Sequence, residues 1–119
     1  MGRDYKGLVV WQKAMEAVRE VYRLVPNLPR EETYGMRSQL TRAAVSIPTN
    51  VAEGWARESQ REKAQFLAID DGSLAETETL LTLSEHLGWM TEAETRQARW
   101  LLDEVSRILT VRRRNRRPH

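Results

Sequence analysis

The sequence has no cysteine among its 119 residues, only six glycines and four prolines, and aromatic residues amount to just 7%. Without cysteine there are no disulfides and no thiolate metal sites, and the composition suits a reducing cytosol. Long apolar runs are missing too. The longest uncharged stretch, Ala43 to Ala52, falls well short of the ~20 apolar residues that a membrane-spanning helix needs. The expectation is a cytoplasmic protein with no membrane partner and no signal peptide. A chain of this length makes one domain, large enough to bury a core without staples.

Charge is present but unevenly placed. Residues 1–111 carry a formal −3, whereas residues 112–119 hold Arg112, Arg113, Arg114, Arg116 and Arg117 with no acid. The overall net charge of +2 therefore hides an acidic body and a basic end. This divides the chain into a body, 1–111, and a basic C-terminal tail, 112–119.

Apolar periodicity predicts four helices and no strands. Trp11, Ala14, Met15, Val18, Tyr22 and Val25 recur at three and four over about Val9 to Val25, and Pro26 and Pro29 end that segment. Met36, Leu40, Ala43, Ile47, Val51 and Gly54 mark a second segment reaching about Arg57. Pro48 lies inside it, so a kink or a break is expected, and the unbroken periodicity favours the kink. Ser59 with Glu62, and Thr91 with Glu94, are capping-box pairs opening a third and a fourth helix. The stripe expected on the third is Phe66, Ile69, Ser73, Glu76, Leu80, Leu83 and Leu87, with Leu67, Leu74 and Leu81 widening it. On the fourth it is Ala98, Leu101, Leu102, Val105, Ile108 and Leu109. Short connections make neighbours antiparallel, so the fold class is all-α, an up-and-down antiparallel four-helix bundle.

Polar residues on these faces are the candidates for anything beyond packing. Gln39, Arg42, Ser46, Asn50, Glu53 and Arg57 form one line along the second helix, and Ser73 and Glu76 interrupt the third helix's seam. A buried carboxylate needs a partner, and Arg42 and Asn50 are the expected ones for Glu76. The favoured reading of Arg42, Ser46, Asn50, Glu53, Ser73 and Glu76 is a structural polar network fixing helix register or facing another subunit. The competing reading is a ligand or nucleic-acid site along the second helix.

Catalytic patterns are weak. A helical di-iron site needs two Glu-x-x-His pairs, yet the only histidines are His86 and His119, and neither has Glu three positions earlier. There is no cysteine nucleophile and no glycine-rich phosphate loop. Asp70 and Asp71, being adjacent, point about 100° apart on a helix and do not converge on a metal. No enzyme, no cofactor and no metal site are expected. Trp11, Trp55, Trp89 and Trp100 are read as core or interface residues rather than base-stacking platforms.

Several of these segments also carry a resemblance. Leu8 to Ala14, Tyr34-Gly35, the run Gln39 to Gly54 with its Ser46-Ile47-Pro48-Thr49-Asn50-Val51-Ala52-Glu53-Gly54 core, and Gly72 to Glu76 resemble the family of 23S rRNA intervening-sequence proteins over roughly residues 4–90. The resemblance implies a four-helix bundle, commonly a homopentamer, similar in fold to the accessory variability protein of diversity-generating retroelements. Those accessory proteins bind nucleic acid and a reverse transcriptase, so RNA or DNA and a reverse transcriptase or other protein are the implied partners. Two departures stand out: Asp70-Asp71 is more acidic than is usual there, which argues against nucleic acid on that surface, and Trp55 replaces a common Tyr.

The resulting expectation is a non-enzymatic, oligomeric bundle that binds nucleic acid through Arg112, Arg113, Arg114, Arg116 and Arg117, scaffolding a nucleic-acid enzyme. Clustered guanidinium groups neutralise phosphates and release counterions without reading sequence. The alternative is a self-assembling protein-interaction module with no nucleic-acid contact.

Overall fold

Four helices account for most of the chain in the computed structural model, which describes residues 4–116, with side chains as far as Arg114. They are α1 (Val9–Leu24), α2 (Met36–Ala56), α3 (Gln60–His86) and α4 (Glu92–Arg116), with short 3-10 turns before α1 and between α1 and α2. Each helix packs on its chain neighbours, and α4 closes the ring against α1, which is the up-and-down bundle expected. No strand occurs among the described residues.

Local chemistry sets the boundaries. Ser59 caps α3 by accepting the Glu62 amide at 3.0 Å. Thr91 and Glu94 form the full reciprocal box, each side chain accepting the other's backbone N–H, at 2.9 and 3.1 Å. Gly88 takes φ +78° just past α3, the left-handed geometry that lets the Trp89 amide return to the Ser84 carbonyl at 2.9 Å. The helix α2 stays continuous through Pro48, which is itself buried, so no break occurs there.

The core is one cluster drawn from all four helices, including Val21, Leu40, Ile47, Leu81, Leu102 and Val105. Burying each such side chain is worth about 1.5–3 kcal/mol. Two stripes sit differently from the sequence reading. In α1 the buried row is Val10, Ala14, Ala17, Val21 and Leu24, while Met15 and Tyr22 are exposed. In α3 it is Asp70, Ser73, Leu74, Thr77, Leu80, Leu81 and Ser84, while Ile69, Leu83, Leu87 and Glu76 are exposed. The positions thought merely to widen the face, Leu74 and Leu81, are its centre. The buried hydroxyls of α3 are hydrogen-bonded: Thr77 donates to the Ser73 carbonyl and Ser84 to the Leu80 carbonyl, each at 2.8 Å.

Candidate nucleic-acid interface

The arginines expected in a tail begin as the last turns of α4. Arg is a good helix former and favourable near the negative end of a helix dipole, so the helix runs on to Arg116. Successive helical residues point about 100° apart, and adjacency in sequence therefore scatters these side chains. The Arg112 guanidinium lies 5.7 Å from the centre of the Trp55 ring on α2. Arg113 forms an ion pair with Asp71 on α3. Arg114 is exposed. Arg117 and the side chain of Arg116 lie outside the described residues.

Other cations gather at the same end of the bundle. Lys63, in the first turn of α3, donates to the Trp55 carbonyl at 3.0 Å, binding the negative end of α2, and its ammonium is 5.4 Å from the Trp55 ring. Arg57 lies 5.2 Å from the Phe66 ring. Trp55 thus attracts two cations to one indole, an arrangement worth about 0.5–2 kcal/mol per contact according to its exposure. Arg57 belongs to the polar line that the sequence reading drew along the second helix, whereas Lys63 was not singled out. Helix-end placement, from Ser59 as the α3 cap, was the signal available for Lys63.

Beneath this surface is a cavity of about 30 Å³, lined by Asn50, Trp55, Lys63, Phe66, Asp70 and Arg112 among others. That volume suits a water molecule and excludes a nucleobase. Asp70 is only 1% exposed, and neither its Oδ1 nor the Trp55 indole N–H has a hydrogen-bond partner among the described residues. Burial raises the Asp70 carboxyl to about 8, helped by the neighbouring Asp71 charge, so it is mostly protonated at neutral pH.

The expected polar network is partly assembled. Ser46 Oγ lies 2.6 Å from both the Ala43 carbonyl and Ser73 Oγ. One hydroxyl has one hydrogen, so Ser46 donates to the carbonyl and accepts from Ser73. Asn50 donates to the Ser46 carbonyl at 2.7 Å. Arg42 and Glu76 only line a shallow depression between α2 and α3, together with Gln39 and Ser46. Among the described residues no hydrogen bond or ion pair joins Glu76 to Arg42 or Asn50, and Glu53 is exposed on the far side of α2. A second network was missed by the sequence reading: Glu85 on α3 accepts from Thr95 and Arg99 of α4, and Arg99 also donates to Thr82 at 2.9 Å.

Among the described residues no helix is long and apolar enough to cross a membrane. A family model described as 23S rRNA-intervening sequence protein matches residues 6–111. The match reaches into all four helices and ends at Val111, so the arginine run lies outside the matched residues. No curated protein matches the chain.

Proposed function

The chain belongs to the 23S rRNA-intervening sequence protein family, and on that premise we propose that it is a non-enzymatic, oligomeric, cytoplasmic bundle protein that binds nucleic acid through the arginine-bearing end of α4. The observation that carries this reading is the gathering of Arg57, Lys63, Arg112, Arg113 and Arg114 around the ends of α2, α3 and α4. Phosphate contact by such groups is electrostatic and indifferent to sequence, and several copies in one assembly multiply weak contacts by raising the effective concentration. Exposed Arg114 makes first contact, because Arg112 and Arg113 already touch the bundle, and Arg116 and Arg117 of the same run add to it. The protein holds nucleic acid beside a nucleic-acid enzyme, for which it acts as a scaffold; its two histidines and lack of cysteine leave little side-chain chemistry for a reaction of its own.

Self-association draws on an apolar row that α1 and α2 leave at the surface. Met15, Tyr22 and Val45 are each more than a third exposed, and Trp11 and Val18 are half-buried beside them. A homopentamer, the state implied by resemblance, uses this row as subunit contact. The competing reading, an interaction module that never touches nucleic acid, draws on the same row together with the internal contacts of Arg112 and Arg113.

Labelled single-stranded RNA and duplex DNA, titrated at several salt concentrations, decide between the two. Affinity for both should fall steeply with salt, and Arg114→Gln, Arg116→Gln and Arg117→Gln together should flatten the log–log slope by up to about 0.9 per lost phosphate contact. Binding that is absent at low salt, or indifferent to the triple substitution, refutes the arginine reading.

A further inference from the structure

We propose that Asp71 stands in for a nucleic-acid phosphate: with Trp55 it clasps the first two arginines of the run, so a polyanion gains Arg112 and Arg113 only by displacing contacts that the chain makes to itself. This rests on the reading of the arginine end given above and adds its regulation. Arg113 pairs with the Asp71 carboxylate across the α3–α4 seam, and both side chains are partly exposed, 42% and 29%. A phosphate in solvent can therefore reach the same guanidinium. One residue earlier, Arg112 turns to the other side of α4 and lies against Trp55 of α2. The two arginines thus straddle the seam, held by a carboxylate on one side and an aromatic face on the other.

The clasp works by competition. A guanidinium offers the same fork to a carboxylate and to a phosphate, and the paired Asp71 both neutralises Arg113 and repels an approaching anion. Breaking an exposed pair of this kind costs little, so the clasp attenuates binding without blocking it. It also hides one cation from the salt dependence. When Arg113 moves from Asp71 to a phosphate, the phosphate sheds a counterion while Asp71 regains one. Freed in advance, Arg113 contributes its full term. Arg114, exposed on the next face of the helix, is outside the clasp and remains available for the first encounter.

Asp71→Asn is the test, because it keeps the side chain's shape and removes its charge. Circular dichroism confirms that the variant folds, and Asp71→Glu, which restores the charge, serves as rescue. Two readouts are taken: affinity for a labelled RNA and a labelled duplex between 50 and 200 mM KCl, conditions over which phosphate binding is salt-sensitive, and the rate of tryptic cleavage after Arg112 and Arg113 without nucleic acid. The expected result is faster cleavage, affinity higher by up to about fivefold, and a log–log slope steeper by roughly one, all reversed by Asp71→Glu. Cleavage unchanged by Asp71→Asn overturns the clasp whatever the binding data show. Faster cleavage with unchanged affinity and slope overturns its competition with phosphate. Failure of both wild type and variant to bind at low salt refutes the nucleic-acid reading itself, and the cleavage rates then report separately on whether the clasp exists.

Discussion

Gly54 on α2 stands so close to Phe66 on α3 that a methyl group at position 54 would lie 2.8 Å from the Phe66 Cβ. The crossing of these two helices, directly above the Asp70 cavity, depends on that missing side chain. Gly54→Ala gains about 1 kcal/mol of helix propensity and loses more to overpacking, typically 1–3 kcal/mol, because the obstacle is the root of a side chain and not its flexible end. A net destabilisation is expected in urea melts. Truncating Phe66 to Ala leaves the Cβ in place, so the double variant should show no rescue; recovery of stability in it would mean that the ring, and not the helix approach, sets the limit.

The Asp70 carboxyl makes alkaline pH unfavourable to the fold. An unfolded aspartate titrates near 3.9, whereas folded Asp70 titrates at about 8, raised first by burial and then by Asp71. Between these values the folded state keeps a proton that the unfolded state has lost. The stabilisation is therefore whole below about pH 4 and drains away as pH rises to 8, at roughly 1.4 kcal/mol per unit before relaxation is allowed for. Lys63 of α3, Arg112 of α4 and Asn50 of α2 line the same cavity. Asp70→Asn should be close to wild type at pH 4 and more stable than it at pH 8. Parallel pH profiles for the two proteins would contradict the assignment.

At the opposite end of the bundle the sign reverses. Burial pushes Glu85 up, but hydrogen bonds from Thr95 and Arg99 and the charges of Arg99 and His86 outweigh it, so its carboxyl titrates below the ordinary glutamate value. Such a group stabilises above its unfolded pKa, and the contribution is lost as pH falls through the lower folded value. Glu85→Gln should cost about 1–2 kcal/mol at pH 7 and progressively less in acid. A difference between variant and wild type that stays constant from pH 7 to 3 would remove Glu85 from the acid response.

Ser73 and Glu76, side by side in the sequence reading, separate in the fold. Ser73 is buried and meets Ser46 across the α2–α3 seam, whereas Glu76 faces solvent. Ser73→Ala should cost about 1 kcal/mol through the lost hydrogen bond and the unsatisfied partner. Glu76→Gln should stay within about 0.5 kcal/mol, as surface changes do. Equal effects from chemical denaturation would mean that the pair is not divided by burial in solution.

Helix number, order and caps were legible because each rests on strong local chemistry: Pro26 and Pro29 between the first pair, Ser59 and Thr91 as caps, Gly88 as a stop. The rotation of α1 and α3 about their own axes was not. Each carries two adjacent rows that fit a helical period, and the louder row, with Trp11, Met15 and Tyr22, is the outer one. The inner row of α1, Val10, Ala14, Ala17, Val21 and Leu24, has mostly smaller side chains than the outer one, so its greater burial follows from packing and not from side-chain bulk. In α3 three of the seven buried residues are hydroxyls, and for Thr77 and Ser84 a hydrogen bond to the carbonyl one turn back makes burial cheap, which a polarity scale cannot register. Asp70 was noticed only as half of an adjacent acidic pair, since nothing local marks it as the member that turns inward. The arginines were conspicuous in sequence, but their division between Trp55, Asp71 and solvent depends on where three helices end.

That outer row of α1 also yields the sharpest test of assembly. Tyr22 is 52% exposed and Met15 and Val45 nearly 40% each, and they line continuous grooves between α1 and α2 with Trp11 and Pro48. Apolar contact between copies is stabilised by about 25 cal/mol per Å² removed from water, and a charge placed centrally on such a patch must be desolvated to let it form. Met15→Glu with Val45→Glu should therefore lower the mass found by light scattering to that of one chain while leaving helicity and melting cooperativity intact, because both side chains point away from the bundle core. An unchanged assembly would place the subunit contact elsewhere, with the exposed Ile69, Leu83 and Leu87 of the α3 surface as the next face to charge.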